Sequence, residues 1–473
     1  MRKLICAIAA LIGITAQAKV TLPKFFSDNM VLQQQSDCNI WGMADKGKMV
    51  SITTSWNAKT YQVKTDKEGK FEVKVQTPEA GGPYEITFTE LSSHHSPLTI
   101  HLLKNILIGE VWICSGQSNM EMQMKGFKQQ PVEGTTEELL RCKDSNLRLF
   151  TVKRHVSLTP EKDVIGQWNE ANSASVRDFS ATAYYFGKAL RATLDVPVGL
   201  IVTAWGGSAC EAWMAADWLK AFPKVNQSVT EEDMKKLQQR CPTALFNGQL
   251  KPLIGYTMKG AIWYQGEDNV PRYDYYAPLL KAMVQGWRQE WKQDEFPFYY
   301  CQIAPYDYSL IKWKDSQYLR EQQMKAEEMI PNARMAVLMD AGLEYGIHPR
   351  KKRQAGERLA LLALANTYNV KGLPEFAKYK EVEFTNDTCV VSFDRSKEWV
   401  YFEHGTTSKH FEVAGADQVF HPASKVWVSR NHVYVVCDQV KKPVALRYAF
   451  KDWAEGDLMH DGLPVSSFRT DNW

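Results

Sequence analysis

Ser118 follows a run that could place it at a reactive corner. Residues 106–114 are apolar, rich in β-branched side chains and of the length of a buried strand, and the run breaks at Ser115-Gly116. The residues after Ser118, Asn119-Met120-Glu121-Met122-Gln123, can begin a helix. Such a strand–turn–helix corner would expose the serine hydroxyl above the sheet edge and set its N–H among the unpaired donors of a helix start. Acyl transfer needs that arrangement: an exposed oxygen, with a donor ready for the oxyanion it creates. By composition alone, a tight turn that contains a serine is the commoner explanation. A serine nucleophile also needs a base, and histidine is the usual one. Of the ten histidines, His155 and His348 lie in the central part of the chain. His348 stands just past a strand-like run and before a helix-like one, with Pro349 suited to a helix start.

Four blocks carry a resemblance. Gly109-Glu-Val-Trp-Ile-Cys-Ser-Gly-Gln-Ser118-Asn-Met-Glu-Met122 closely resembles the signature of the sialate O-acetylesterase family, within the wider SGNH hydrolases. Met120 stands where the Gly-x-Ser-x-Gly elbow of α/β-hydrolases needs its second glycine, so that elbow is excluded. The resemblance implies an α/β fold: a flavodoxin-like SGNH hydrolase core with a parallel sheet. It also implies serine ester hydrolysis without cofactor or metal. Trp205-Gly206-Gly207-Ser208, with Glu211-Ala212-Trp213, is similar to a second block, in which Gly207 would supply an oxyanion-hole N–H beside that of Ser118. Paired glycines also let a backbone approach a ligand closely. Gln265-Gly266-Glu267-Asp268-Asn269 resembles a third block, in which a side-chain amide adds a further donor. Gln265 is the first choice there and Asn269 its substitute, with Glu267 ordering the loop. Ile347-His348-Pro349 resembles the terminal block and marks His348 as the base.

The chain departs from the family at one place. An aspartate usually stands two residues before the histidine, and this sequence has Gly346 there. Asp340 and Glu344 are the candidate orienting acids, or the site works as a dyad. The implied substrate is an acetylated sugar, 9-O-acetyl sialate first and acetylated xylan or mannan second. A catalytically lapsed glycan-binding protein is the rival from another class; an intact Ser118, His348 and Gln265 argue against it.

These residues need elements to hold them. Residues 104–372 alternate strand-like and helix-like runs, the sign of βαβ units, and ligands in such sheets sit beyond the C-terminal strand ends. Residues 19–103 and 373–473 alternate apolar and polar residues between turns, which predicts flanking β-sandwich-type domains. Near the end, Arg447 and Arg469 could contribute to a substrate-facing surface. A net charge of +3 points to neither nucleic acid nor an anionic membrane. Residues 1–18 read as a secretory signal peptide, with Met1-Arg2-Lys3, a short apolar run and Ala16-Gln17-Ala18, and the run is too short to span a bilayer. The mature protein is expected to start near Lys19 and to be secreted or periplasmic. Eight cysteines remain, and in an exported chain they allow disulfides, with Cys389 and Cys437 the pair to watch. The apolar surroundings of Cys114, Cys301 and Cys437 suit buried thiols instead. No His or Cys spacing suggests a metal site.

Overall fold

The computed structural model describes residues 20–92, 96–293, 295–395 and 399–473; the expected signal peptide lies outside the described residues. The apolar runs of the central region become one sheet. Its strands are β1 (Pro97–Gly116), β2 (Asp144–Thr151), β3 (Trp168–Ala171), β4 (Val198–Ala204), β5 (Gly260–Tyr264), β6 (Phe298–Cys301) and β7 (Ala333–Ala336). They lie in the order β7-β6-β5-β1-β4-β2-β3. All neighbours are parallel except β2 and β3. Every residue of β4 and β5 is buried, which is why both read as unbroken apolar runs rather than as alternation.

The helices follow the expected α/β alternation: α1 (Ser118–Glu121), α2 (Ala181–Leu194), α3 (Tyr276–Trp291), α4 (Ser316–Met329) and α5 (Lys352–Asn366). Helix α2 packs beside α5, and α3 beside α4. Ser180 caps α2 by accepting the Ala183 N–H.

Strand order places the site. From β1 the chain goes out to β2 and returns to β4 on one side, then builds β5, β6 and β7 on the other. The order reverses at β1, so the crevice beyond its C-terminal end is the topological switch point. Register levels the three strand ends there: Gly116 lies opposite Ala204 of β4 and Tyr264 of β5. Gly116 has φ +140°, and a Cβ on it would stand 2.2 Å from the Tyr264 carbonyl oxygen. Only glycine fits that position.

Strand β1 is longer than the sequence pattern predicts. Its first half pairs antiparallel with Gly81–Leu91, and its middle pairs parallel with Val31–Gln33. The boundary expected after residue 103 therefore falls inside a single strand that serves both sheets. Burial explains the misreading: it is interrupted up to Asn105 and unbroken from Ile106 to Met120. The N-terminal region is otherwise antiparallel, with Met49–Thr54 between Thr60–Lys64 and Gly81–Leu91, and Asp37–Met43 paired with Lys70–Gln76.

After α5 the described residues return to antiparallel strands, in two four-stranded sheets and a smaller three-stranded one. Arg447 and Arg469 are both committed to ion pairs. Arg447 grips Asp471 at 2.8 Å through two nitrogens, and Arg469 holds Glu321 of α4 at 2.9 Å, tying the chain end to the core. All eight described cysteines, Cys389 and Cys437 included, are free and buried. Among the described residues no helix is long and apolar enough to cross a membrane.

Candidate active site

The turn carrying Ser118 is slung between two strand ends. Gln117 N–H donates to the Tyr264 carbonyl at 3.0 Å, and Trp205 N–H donates to that of Gly116 at 3.1 Å. Helix α1 then begins at Ser118, with the Met120 and Glu121 N–H groups returning to Gln117 O at 2.9 Å. Ser118 N–H and Oγ have no hydrogen-bond partner among the described residues, although the residue is only 8% exposed. The hydroxyl is thus unengaged at the switch point.

The glycine loop after β4 lies against it. A Cβ on Gly206 would sit 3.2 Å from the Ser118 Cβ, so a side chain there would crowd the nucleophile. Gly206 N–H is taken by Glu121 Oε2 at 2.7 Å, and Glu121 Oε1 accepts from Arg154 Nε at 2.5 Å. The Arg154 guanidinium in turn lies over the Trp205 ring, 5.3 Å from its centroid. Gly207 has φ +70° and a backbone N–H without a partner among the described residues. Two backbone donors, those of Ser118 and Gly207, are therefore unpaired among the described residues, on the turn after β1 and the loop after β4.

The amides of the third block are engaged elsewhere. Gln265 Nε2 donates to Ser208 O at 3.1 Å and to Asn269 Oδ1 at 2.7 Å, while its Oε1 accepts from the Tyr276 hydroxyl at 2.9 Å. Both protons of a fully buried amide are committed, so Gln265 braces the glycine loop and leaves no proton for an oxyanion. Asn269, also fully buried, accepts from Cys210 N–H at 3.0 Å and donates to Glu211 Oε2 at 2.9 Å. Its place is in the same brace. The amide beside the nucleophile is Gln117, whose Oε1 accepts from Gly266 and Asp268 N–H at 3.2 and 3.3 Å and whose Nε2 makes no hydrogen bond among the described residues.

The His348 segment is tied to the Ser118 turn through their neighbours. Asn119, next to Ser118, donates from Nδ2 to the carbonyl of Ile347, next to His348, at 3.1 Å. Neither candidate acid holds the imidazole. Asp340 forms a two-pronged pair with Arg358 at 2.6 Å on each oxygen, which anchors the end of the β7 segment to α5. The Glu344 carboxylate has the exposed Tyr345 hydroxyl beside it, which keeps that phenol protonated above its usual range.

The group on His348 Nδ1 is the side-chain oxygen of Gln130. An amide oxygen only accepts, so Nδ1 carries the proton and Nε2 keeps its lone pair for a substrate proton. Gln130 and Phe127 exchange backbone hydrogen bonds at 3.0 Å, and this tight turn also sets the Phe127 ring edge-on to the imidazole, with centroids 5.1 Å apart. Glu133 N–H donates to Arg350 O at 3.0 Å and fastens the same loop to the base segment. Burial, with a smaller contribution from the Lys352 ammonium, pushes the imidazole from its ordinary 6.5 down to about 4. A neutral imidazole is the form a base needs. His155, by contrast, pairs with Glu161 at 3.4 Å on the surface.

Nothing in the local sequence singled out Gln130. It is a neutral amide, and the contact spans 218 positions.

Known proteins share this arrangement of chain. The family described as carbohydrate esterase, sialic acid-specific acetylesterase matches residues 108–364. A sialate O-acetylesterase of Homo sapiens is 28% identical over 91% of this chain and 87% of its own length. That of Rattus norvegicus is 29% identical over 74% of each. A carbohydrate acetylesterase from Xanthomonas citri of known crystal structure is 32% identical, covers 96% of this chain and 100% of its own, and superposes with a TM-score of 0.87. The family match spans the strand that delivers Ser118 and the segment that delivers His348. This chain therefore belongs to the carbohydrate esterase family of sialic acid-specific acetylesterases.

Proposed function

We propose that the protein removes O-acetyl groups from sialic acid, with Ser118 as nucleophile and His348 as base. The observation that carries the reading is the unengaged Ser118 hydroxyl at the switch point, on a turn tied through Asn119 to the His348 segment, with the N–H groups of Ser118 and Gly207 unpaired among the described residues. His348 Nε2 takes the hydroxyl proton as Oγ attacks the acetyl carbonyl. The two N–H groups receive the oxyanion. The imidazolium then gives its proton to the leaving sugar oxygen, which frees the sugar and leaves acetyl on Ser118. Water, deprotonated by His348, releases acetate by the same steps.

Gln130 takes the place of the orienting acid. It holds the Nδ1–H tautomer and the ring direction, but a neutral amide cannot offset the imidazolium charge as a carboxylate does. The base accordingly stays neutral well into the acidic range. The leader-like residues 1–18 support a place of action outside the cytoplasm. N-terminal sequencing of the exported protein should begin near Lys19, and retention of residue 1 would count against it.

One observation favours an uncharged sugar as a second reading. Three guanidiniums around the glycine loop already have carboxylates: Arg154 has Glu121, Arg240 has Asp268 at 2.5 Å, and Arg272 has Glu211 at 3.3 Å. A sialic acid carboxylate gains most from a cation that is not already matched. Acetate release from 9-O-acetylated sialic acid and from acetylated xylan and mannan oligosaccharides separates the two, with Ser118→Ala as control. Turnover of the sialate substrate, lost in the variant, supports the first reading. Turnover of the neutral oligosaccharides alone moves the assignment to hemicellulose. Sugar binding that survives Ser118→Ala, with no acetate from any substrate, would sink both.

A further inference from the structure

A buried ammonium and a buried carboxylate, bridged by the Asn119 amide, lie next to Ser118, and the ester chemistry described above has no use for them. Lys352 is the first residue of α5, where a cation opposes the helix dipole, and it is 1% exposed. Its Nζ donates to Asn119 Oδ1 at 2.5 Å and stands 5.6 Å from the centroid of the Tyr264 ring. Asn119, also 1% exposed, donates from Nδ2 to Glu267 Oε1 at 2.5 Å as well as to Ile347 O at 3.1 Å. Glu267 is 3% exposed, and its second oxygen is buried without a partner among the described residues. One amide thus joins the loops after β1 and β5, the base segment and the start of α5. Burying an ammonium and a carboxylate costs several kcal/mol per ion unless they are paired, so a fold gains little from such a cluster as packing alone.

We propose that Lys352, Asn119 and Glu267 are positioning residues for the acyl-transfer pair: Asn119 locks the Ser118 turn to the His348 segment, and the Lys352 ammonium keeps the imidazole in its neutral, proton-accepting form. The inference rests on His348 being the base. Lys352 lies four residues beyond His348, and it is the charged group whose presence disfavours the imidazolium. The Phe127–Gln130 turn meets the ring with an aromatic edge and an amide oxygen, and its one charged residue, Lys128, is exposed. Around Lys352 itself stand Glu267 and Cys301 from the neighbouring strand ends; both favour its charged form, while burial pushes it from 10.5 down to about 7. Glu267 is in turn raised by burial, with Asp268 as its other charged neighbour, and burial keeps the nearby Tyr308 phenol protonated. Across acidic pH the lysine is protonated, and there its repulsion defends the base against protonation. The same repulsion raises the energy of the imidazolium formed in each half-reaction, and Glu267 offsets part of it.

The test is the pH profile of kcat/KM for acetate release from 4-nitrophenyl acetate, measured beside thermal unfolding. The profile's acid limb reports the free-enzyme base. Lys352→Gln keeps a donor for Asn119 without the charge, and its acid limb should rise by about one pH unit; burial, the larger cause, remains. Lys352→Arg, which keeps the charge, should leave the limb where it is. Asn119→Ala should lower kcat about tenfold or more with the limb in place, as misplacement does. Should Lys352→Gln not fold, Glu267→Gln serves instead: it uncovers the ammonium, and the limb should move down. An acid limb in Lys352→Gln or Glu267→Gln that coincides with the native one, with losses that follow the unfolding temperature, would overturn the proposal. Retained activity in His348→Ala would instead sink the base assignment beneath it.

Discussion

The two halves of the site are built differently. The nucleophile half stands on the sheet: Gly116, Ala204 and Tyr264 are level, and Ser118, Gly206 and Gly207 follow them within three residues. Backbone bonds of 3.0 and 3.1 Å fix the turn from both sides. The base half stands on a loop. Residues 340–351 lie between β7 and α5, and the imidazole takes its direction from Gln130, a side chain on another loop. The proposed nucleophile, Ser118, is placed by strands, which cannot shift without breaking the sheet. The proposed base is placed by side chains that meet only after folding.

Breaking the Gln130 contact tests that difference most severely. Gln130→Leu removes the acceptor on Nδ1 with little change in volume. It should lower kcat/KM about tenfold, the loss of roughly 1.4 kcal/mol of orientation, while leaving the unfolding temperature near native. Gln130→Glu sharpens the same point through pH. A carboxylate favours the imidazolium, so the acid limb should climb from near the low value set by burial toward or past 6.5. No change in either variant would mean that the ring is held by packing against Phe127 alone.

The smallest effect on rate is expected at Asp340. Were it the orienting acid, Asp340→Asn would cost about 10⁴-fold in kcat. Since its carboxylate is spent on Arg358, kcat should stay within about threefold of native. The unfolding midpoint should fall by several degrees as a largely buried ion pair, with side chains 9% and 14% exposed, loses a partner. A large loss of kcat at unchanged stability would return Asp340 to the site.

The same contrast explains what was legible in the sequence. Unbroken apolar runs gave away β4 and β5, and the corner at Ser118 followed from a strand, a glycine and a helix start within a few residues. Helices α2 to α5 lie where the periodicity puts them, because each buries one face on the sheet. The domain boundary after residue 103 was not legible, since β1 changes its burial pattern in mid-strand without any turn residue to mark the change. The partners of the base were hidden for another reason. Gln130, Asn119 and Lys352 are polar residues of no distinctive spacing, and their roles come from contacts 218 and 233 positions apart. Gln265 shows the reverse error. Its block resembles a donor site, yet the number of protons its neighbours take is a property of the fold and not of the motif.

The central claim is that acetyl passes through Ser118. Acid quenching of the native enzyme during turnover of an acetyl ester, followed by peptide mass spectrometry, reads it directly. One acetyl group should appear on the peptide that contains Ser118 and be absent from the Ser118→Ala protein, which should release no acetate. Acetate release by the native enzyme with that peptide unmodified, or with acetyl trapped on a different residue, would contradict the account.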